Sequence, residues 1–185
     1  AFLLGILSLW LLMFLVGYLI LGKRLFELIK RILNPLAIAF STTSSEAVFP
    51  KLVEELEGFG CKNKIVSFIL PLGYSFNLDG SMMYMTFASI FIAQSFGIHL
   101  DLPTQVSMLL VLMLTSKGIA GVPRASLVVI AGTLATFNIP EAGIALLIGI
   151  DPLLDMGRSA TNVVGNSIAT AVVSKWKGEL EDSNN

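Results

Sequence analysis

Residues 74–85 read YSFNLDGSMMYM, which sets Asn77, Asp79 and Gly80 inside a run otherwise fit to cross a membrane. A charge at the centre of a bilayer costs at least ~2.5 kcal/mol on insertion scales, so it calls for a function and a partner. The rest of the chain makes lipid the relevant solvent. Of 185 residues, 55% are hydrophobic and 14% charged, against about 25% charged in a soluble domain. The net charge of −1 points to no nucleic-acid partner. The single cysteine, Cys61, cannot form an internal disulfide, and no Cys/His cluster suggests a metal. His99, in the turn-like IHLDLP, reads as a surface residue.

Residues 1–21 carry no charge and are long enough to span a hydrocarbon core of ~30 Å. A signal peptide would have a basic front end and a shorter apolar run. A chain that begins inside a span reads as a piece of a larger protein. After it come the basic amphipathic GKRLFELIKR and then apolar segments that are shorter and interrupted. ILNPLAIAF meets STTSSEA, KIVSFILPLGYSF meets NLDGS, VSMLLVLMLT meets SKGIAGVPRAS, and AGIALLIGIDPLL meets DMGRSATNVVGN. Such segments are too short to span as straight helices. They suit re-entrant hairpins, whose irregular backbone is tolerated at depth when buried in protein or lining a wet cavity.

The cations set the topology. Nine of the 12 Lys and Arg fall in three stretches: Lys23 to Arg31, Lys51 to Lys64, and Lys175 with Lys177. The loops GIHLDLPTQ and TFNIPE have none. By the positive-inside rule the basic stretches are cytoplasmic and the bare loops external. The expected order is a transmembrane helix (1–22), a re-entrant hairpin (23–60), a broken transmembrane helix with NLDGS (61–97), a second hairpin (104–139), a transmembrane helix with DMGRSATN (140–176) and a cytoplasmic tail (177–185). Hairpin plus interrupted span occurs twice with opposite orientation, an inverted repeat that places the site where the halves meet. The fold class is therefore an all-α membrane protein.

The remaining cations, Lys117, Arg124 and Arg158, lie in the interrupted segments, as do Glu46, Asp79 and Asp155. Asp155 and Arg158 are three apart and share a helical face, which Asn162 extends. One reading is a structural ion pair, although buried pairs are often no more stabilising than apolar packing. The other is a clamp for a zwitterion, with Arg158 offering a fork to a carboxylate and Asp155 accepting from an ammonium. The serine-rich tip is either a tight-packing device or a donor set for a second carboxylate.

TTSSEA, NLDGS, AGVP and DMGRSATN in combination resemble the dicarboxylate/amino acid:cation symporter family, the glutamate transporters, over almost the whole chain. The resemblance implies that Ser44, Ser45 and Val122 hold the substrate's main-chain carboxylate, and that Ser81 and Arg158 meet its side-chain carboxylate. Asp155 would take the amino group, with Ser159 and Asn162 completing the pocket. Asn77 and Asp79 belong to the cation-handling motif. It also implies a homotrimer, through earlier spans missing from this chain, in the plasma or inner membrane with a cytoplasmic C-terminus.

Several residues depart from the sodium-coupled pattern. Asn166 stands where sodium-coupled relatives carry an aspartate, and Lys117 where the second hairpin lends carbonyl oxygens to sodium. Both changes oppose binding of a hard cation. Met85 stands where neuronal relatives carry a glutamate linked to proton carriage, and Arg124 and Ser126 replace glycines near the pocket. The expectation is a multi-pass symporter of glutamate or aspartate coupled to protons, with no resident cofactor and with Glu46, Asp79 and Asp155 as candidate carriers. Sodium coupling and a C4-dicarboxylate substrate are the alternatives. A channel would need a continuous wet pore. An enzyme is disfavoured, because no nucleophile–base pair or cofactor loop is present.

Overall fold

A computed structural model describes residues 2–76, 79–116 and 125–181. Asn77, Lys117, Val122 and Arg124 lie outside the described residues. The elements are helices α1 (Phe2–Leu21), α2 (Arg24–Thr42), α3 (Phe49–Gly58), α4 (Asn63–Phe76), α5 (Asp79–Ser95), α6 (Leu102–Thr115), α7 (Ala125–Thr136), α8 (Ala145–Ile148) and α9 (Asp151–Trp176). Short 3-10 turns occupy Glu46–Val48 and Glu141–Ile144. Among the described residues there is no β-strand, and the all-helical expectation holds.

α1 has neither proline nor charge to interrupt it, and Leu dominates its composition. Among the described residues it is the one helix long and apolar enough to cross a membrane by length and composition. Ile6, Gly17 and Leu21 face inward, while Leu3, Leu4, Leu7, Leu11 and Leu19 are more than half exposed. Gly22, at φ +63°, follows its last turn in the left-handed conformation that closes helices without steric cost. Lys175 Nζ donates to the Ile20 carbonyl at 2.5 Å, satisfying an orphan acceptor at that helix end.

α9 is the hub, packed against α1, α2, α4 and α5. Almost every residue from Ser159 to Val172 is buried. Ser, Thr, Ala, Gly and Val make this surface thin enough for four neighbours to approach it closely. One apolar core lies between α2, α3, α4 and the later part of α9, with Leu28, Leu52, Leu56, Leu70 and Val163 fully buried. A second lies between α5, α6 and α7, around Tyr84, Met85, Ile92, Leu112 and Ile130. The two cores meet along α9 and α5, where the polar side chains concentrate.

The residues DMGRSATN, expected within a helix over 140–176, lie in α9, which runs unbroken through them and is 26 residues long. The irregular backbone comes earlier, where α8 ends at Ile148 and α9 begins at Asp151. The helix survives its polar run because Asp155, Arg158 and Asn162 find side-chain and backbone partners around it. Thr161 likewise returns its hydroxyl to the Gly157 carbonyl. At NLDGS, residues 77 and 78 lie outside the described residues, with α4 described to Phe76 and α5 from Asp79.

Candidate functional site

Asn162 of α9 reaches the first described turn of α5: its Oδ1 accepts from Gly80 N at 3.0 Å and from Ser81 N at 3.3 Å. The same amide donates through Nδ2 to Ser81 Oγ at 3.1 Å. Asn162 and Ser81 are both buried, so three hydrogen bonds fix their orientation out of water's reach. Gly80 permits this approach. A Cβ there would lie 2.9 Å from Thr161 Cβ and would overlap the Arg158 carbonyl.

Arg158 stands one turn before Asn162. Its Nη2 pairs with the Asp155 carboxylate, three residues back on the same face. Its Nη1 donates to Ser126 Oγ at 2.8 Å and to Ser81 Oγ at 3.3 Å. Among the described residues its buried Nε has no hydrogen-bond partner. Asp155, Ser81, Arg158 and Asn162 thus form one connected cluster contributed by α5 and α9. Ser126 of α7 joins it, a site residue that the motifs alone did not assign. The visible signal was only that a serine replaces a glycine there. Ser159 is buried beside the cluster in sequence on α9.

The other expected residues occupy two further places. Ser44 and Ser45 sit at the turn between α2 and α3, after Thr43 at φ +55°. Ser44 Oγ accepts from Ala47 N at 3.3 Å, and the Ser45 carbonyl accepts from Tyr74 Oη at 2.7 Å. That bond ties the serine-rich turn to α4, helped by an edge-on contact of Phe49 and Tyr74 at 5.3 Å. Glu46 opens the 3-10 turn and is partly buried.

Asp79 packs against Gly165, where a Cβ would lie 2.5 Å from Asp79 Oδ2. Asn166 is buried against Gly73, whose missing Cβ would overlap the amide oxygen. Among the described residues neither amide atom of Asn166 has a hydrogen-bond partner. Tyr84 Oη, four residues along α5 from Gly80, donates to the Asp151 carboxylate at the start of α9. Trp10 Nε1 donates to Thr161 Oγ1 at 2.8 Å, pinning α1 to the same stretch.

Among the described residues the chain is all-helical and strongly apolar, and a charged Arg158–Asp155 cluster at largely buried positions is what a membrane-embedded protein keeps for function. More narrowly, the chain belongs to the sodium:dicarboxylate symporter family, whose model matches residues 1–176. It is 53% identical over 161 residues to the proton/sodium-glutamate symport protein of Geobacillus stearothermophilus, covering 87% of this chain and 38% of that protein. It is 47% identical over 160 residues to the proton/glutamate-aspartate symporter of Escherichia coli K12, covering 86% and 37%. It is 46% identical over 161 residues to the C4-dicarboxylate transport protein of Pseudomonas syringae pv. syringae, covering 86% and 36%. The chain therefore spans less than two fifths of the length of these curated relatives.

Proposed function

We propose that the protein is a secondary active symporter that brings an acidic amino acid, glutamate or aspartate, into the cell together with protons. The observation that carries this reading is the Asp155–Arg158 pair, bonded on its far side to the Ser81 and Ser126 hydroxyls. The pair offers an acceptor for an ammonium beside a planar donor for a carboxylate. The ammonium and the side-chain carboxylate of an acidic amino acid match the two poles, and the remaining main-chain carboxylate is left to uncharged hydrogen-bond donors. Ser81 and Arg158 take the side-chain carboxylate and Asp155 the amino group, with Ser159 and Asn162 closing the pocket. Ser44, Ser45 and Val122 take the main-chain carboxylate. The glutamate-named relatives support the substrate class.

The C4-dicarboxylate reading is the second one, favoured by the Pseudomonas relative's name. Asp155 weighs against it, because a dicarboxylate has no ammonium to offer that carboxylate and would meet repulsion.

Coupling to protons follows from residue chemistry at the cation positions, Asn77, Asp79, Lys117, Asn166 and Glu46. Asn166 presents a neutral amide, which suits a hard cation less well than an anionic oxygen would. Lys117 adds a fixed ammonium. Glu46, Asp79 and Asp155 are the carboxyls able to carry a proton, and sodium is the alternative coupling ion. The architecture that fits is two re-entrant hairpins (23–60 and 104–139) in inverted repeat within a multi-pass protein of the cell membrane. Its C-terminus is cytoplasmic and it assembles as a homotrimer.

The deciding experiment is labelled glutamate uptake by the full-length protein in liposomes under an inward proton gradient without sodium. Concentrative uptake supports the reading. Uptake that waits for sodium and ignores pH overturns the proton assignment. Uptake of neither glutamate nor aspartate under any gradient moves the dicarboxylate reading to first place.

A further inference from the structure

We infer that Ser126 is a specificity-determining residue that reads the charge of the substrate's distal carboxylate. The inference rests on the assignment of Arg158 to that carboxylate. Ser126 is the second residue of α7 and is 2% exposed. Its hydroxyl accepts from Arg158 Nη1 at 2.8 Å, closer than the 3.3 Å from the same nitrogen to Ser81 Oγ. Two hydroxyls from two different helices therefore flank one nitrogen of a third.

The hydrogen-bond inventory of the cluster explains what this arrangement wants. A hydroxyl has one proton to give and two lone pairs to receive. Ser81 Oγ already receives from Arg158 Nη1 and from Asn162 Nδ2, so its own proton is directed to some other acceptor. Ser126 Oγ receives from Arg158 and likewise keeps a proton to donate. Among the described residues the buried Arg158 Nε has no hydrogen-bond partner either. The two hydroxyls at Nη1 therefore sit in a donor-rich cluster, and a carboxylate, which only accepts, suits them. An uncharged side-chain amide brings its own N–H groups, and part of the donor set stays buried and unpaired. Rejection of that kind is stronger than rejection by shape in an apolar pocket. A glycine at this position would leave Nη1 with Ser81 alone.

The test uses the full-length protein in proteoliposomes and measures inhibition of labelled glutamate uptake by unlabelled glutamate and glutamine. Ser126→Ala should narrow the preference for glutamate over glutamine about tenfold. Ser126→Thr, which keeps the hydroxyl, should hold it within about twofold. Ser126→Gly removes the hydroxyl without adding bulk and must reproduce the narrowing, including where Ser126→Ala fails to fold. Equal weakening toward both ligands, or an unchanged preference in Ser126→Gly, overturns the assignment of Ser126 alone. Absence of glutamate uptake by the wild-type protein removes the acidic amino-acid reading and this inference with it.

Discussion

Asn162 of α9 holds a turn of α5 through space: its Oδ1 accepts the backbone N–H of Gly80, 82 residues earlier in the chain. The acceptor comes from a different helix, so it holds this turn of α5 only while the two helices stay packed. Substituting Asn162 by Ala leaves two buried backbone donors and Ser81 Oγ short of a partner. A loss of about 2–3 kcal/mol in stability is expected. Thermal unfolding in detergent checks it, and an unchanged transition would mean that water replaces the amide.

The glycines of the interface give a graded series. Gly80→Ala drives a Cβ into the Arg158 carbonyl, and backbone cannot move aside cheaply. Gly165→Ala places one 2.5 Å from the Asp79 carboxylate. Gly132→Ala, inside α7, meets nothing within 4 Å. The first two should destabilise by about 1–3 kcal/mol through overpacking. The third should gain up to about 1 kcal/mol from helix propensity. Unfolding midpoints of the three variants test the order, and a Gly80→Ala protein as stable as Gly132→Ala would contradict the close packing of α5 on α9.

Which of these relationships the sequence reveals depends on how local they are. The Asp155–Arg158–Asn162 face follows from helical spacing, since residues three and four apart are neighbours whatever surrounds them. The continuity of α9 does not follow. Whether a polar run breaks a helix depends on partners supplied from elsewhere, and those come from α5 and α7. Ser126 was unreadable as a site residue for the same reason, because its one informative contact lies 32 residues away in sequence. The serine-rich turn was legible as a tip, but its tie to Tyr74 of α4 was not.

Asp155→Ser separates the two substrate readings. Removing the carboxylate deletes the acceptor proposed for the ammonium and releases Arg158 from its ion pair. Glutamate affinity should fall about tenfold or more relative to malate, which has no ammonium to lose. Competition against labelled substrate in proteoliposomes gives the ratio. Equal losses for both ligands would make Asp155 a structural partner of Arg158 and nothing else.

The C-terminal segment is fastened by charge. Lys62 Nζ lies 2.9 Å from Glu179 Oε2 and 3.4 Å from Glu181 Oε1, and Lys64 also pairs with Glu179. Backbone bonds from Lys62 N to the Glu179 carbonyl and from Glu181 N to the Gly60 carbonyl complete the attachment. The hydrogen bonds from Lys62 and then Lys64 hold the Glu179 carboxyl below its ordinary value of 4.5. A depressed carboxyl contributes its stabilisation above the unfolded pKa and loses it as pH falls through the lower, folded one. The attachment should therefore be intact at neutral pH and should loosen only below the usual carboxylate range. Because Lys62, Lys64 and Glu181 are exposed and Glu179 is only partly buried, added salt should loosen it as well. Hydrogen exchange at the Lys62 and Glu181 amides, followed from pH 7 downward, reads the change. Glu179→Gln should bring the fast exchange to neutral pH, and protection unchanged in that variant would show that the backbone bonds suffice without the charges.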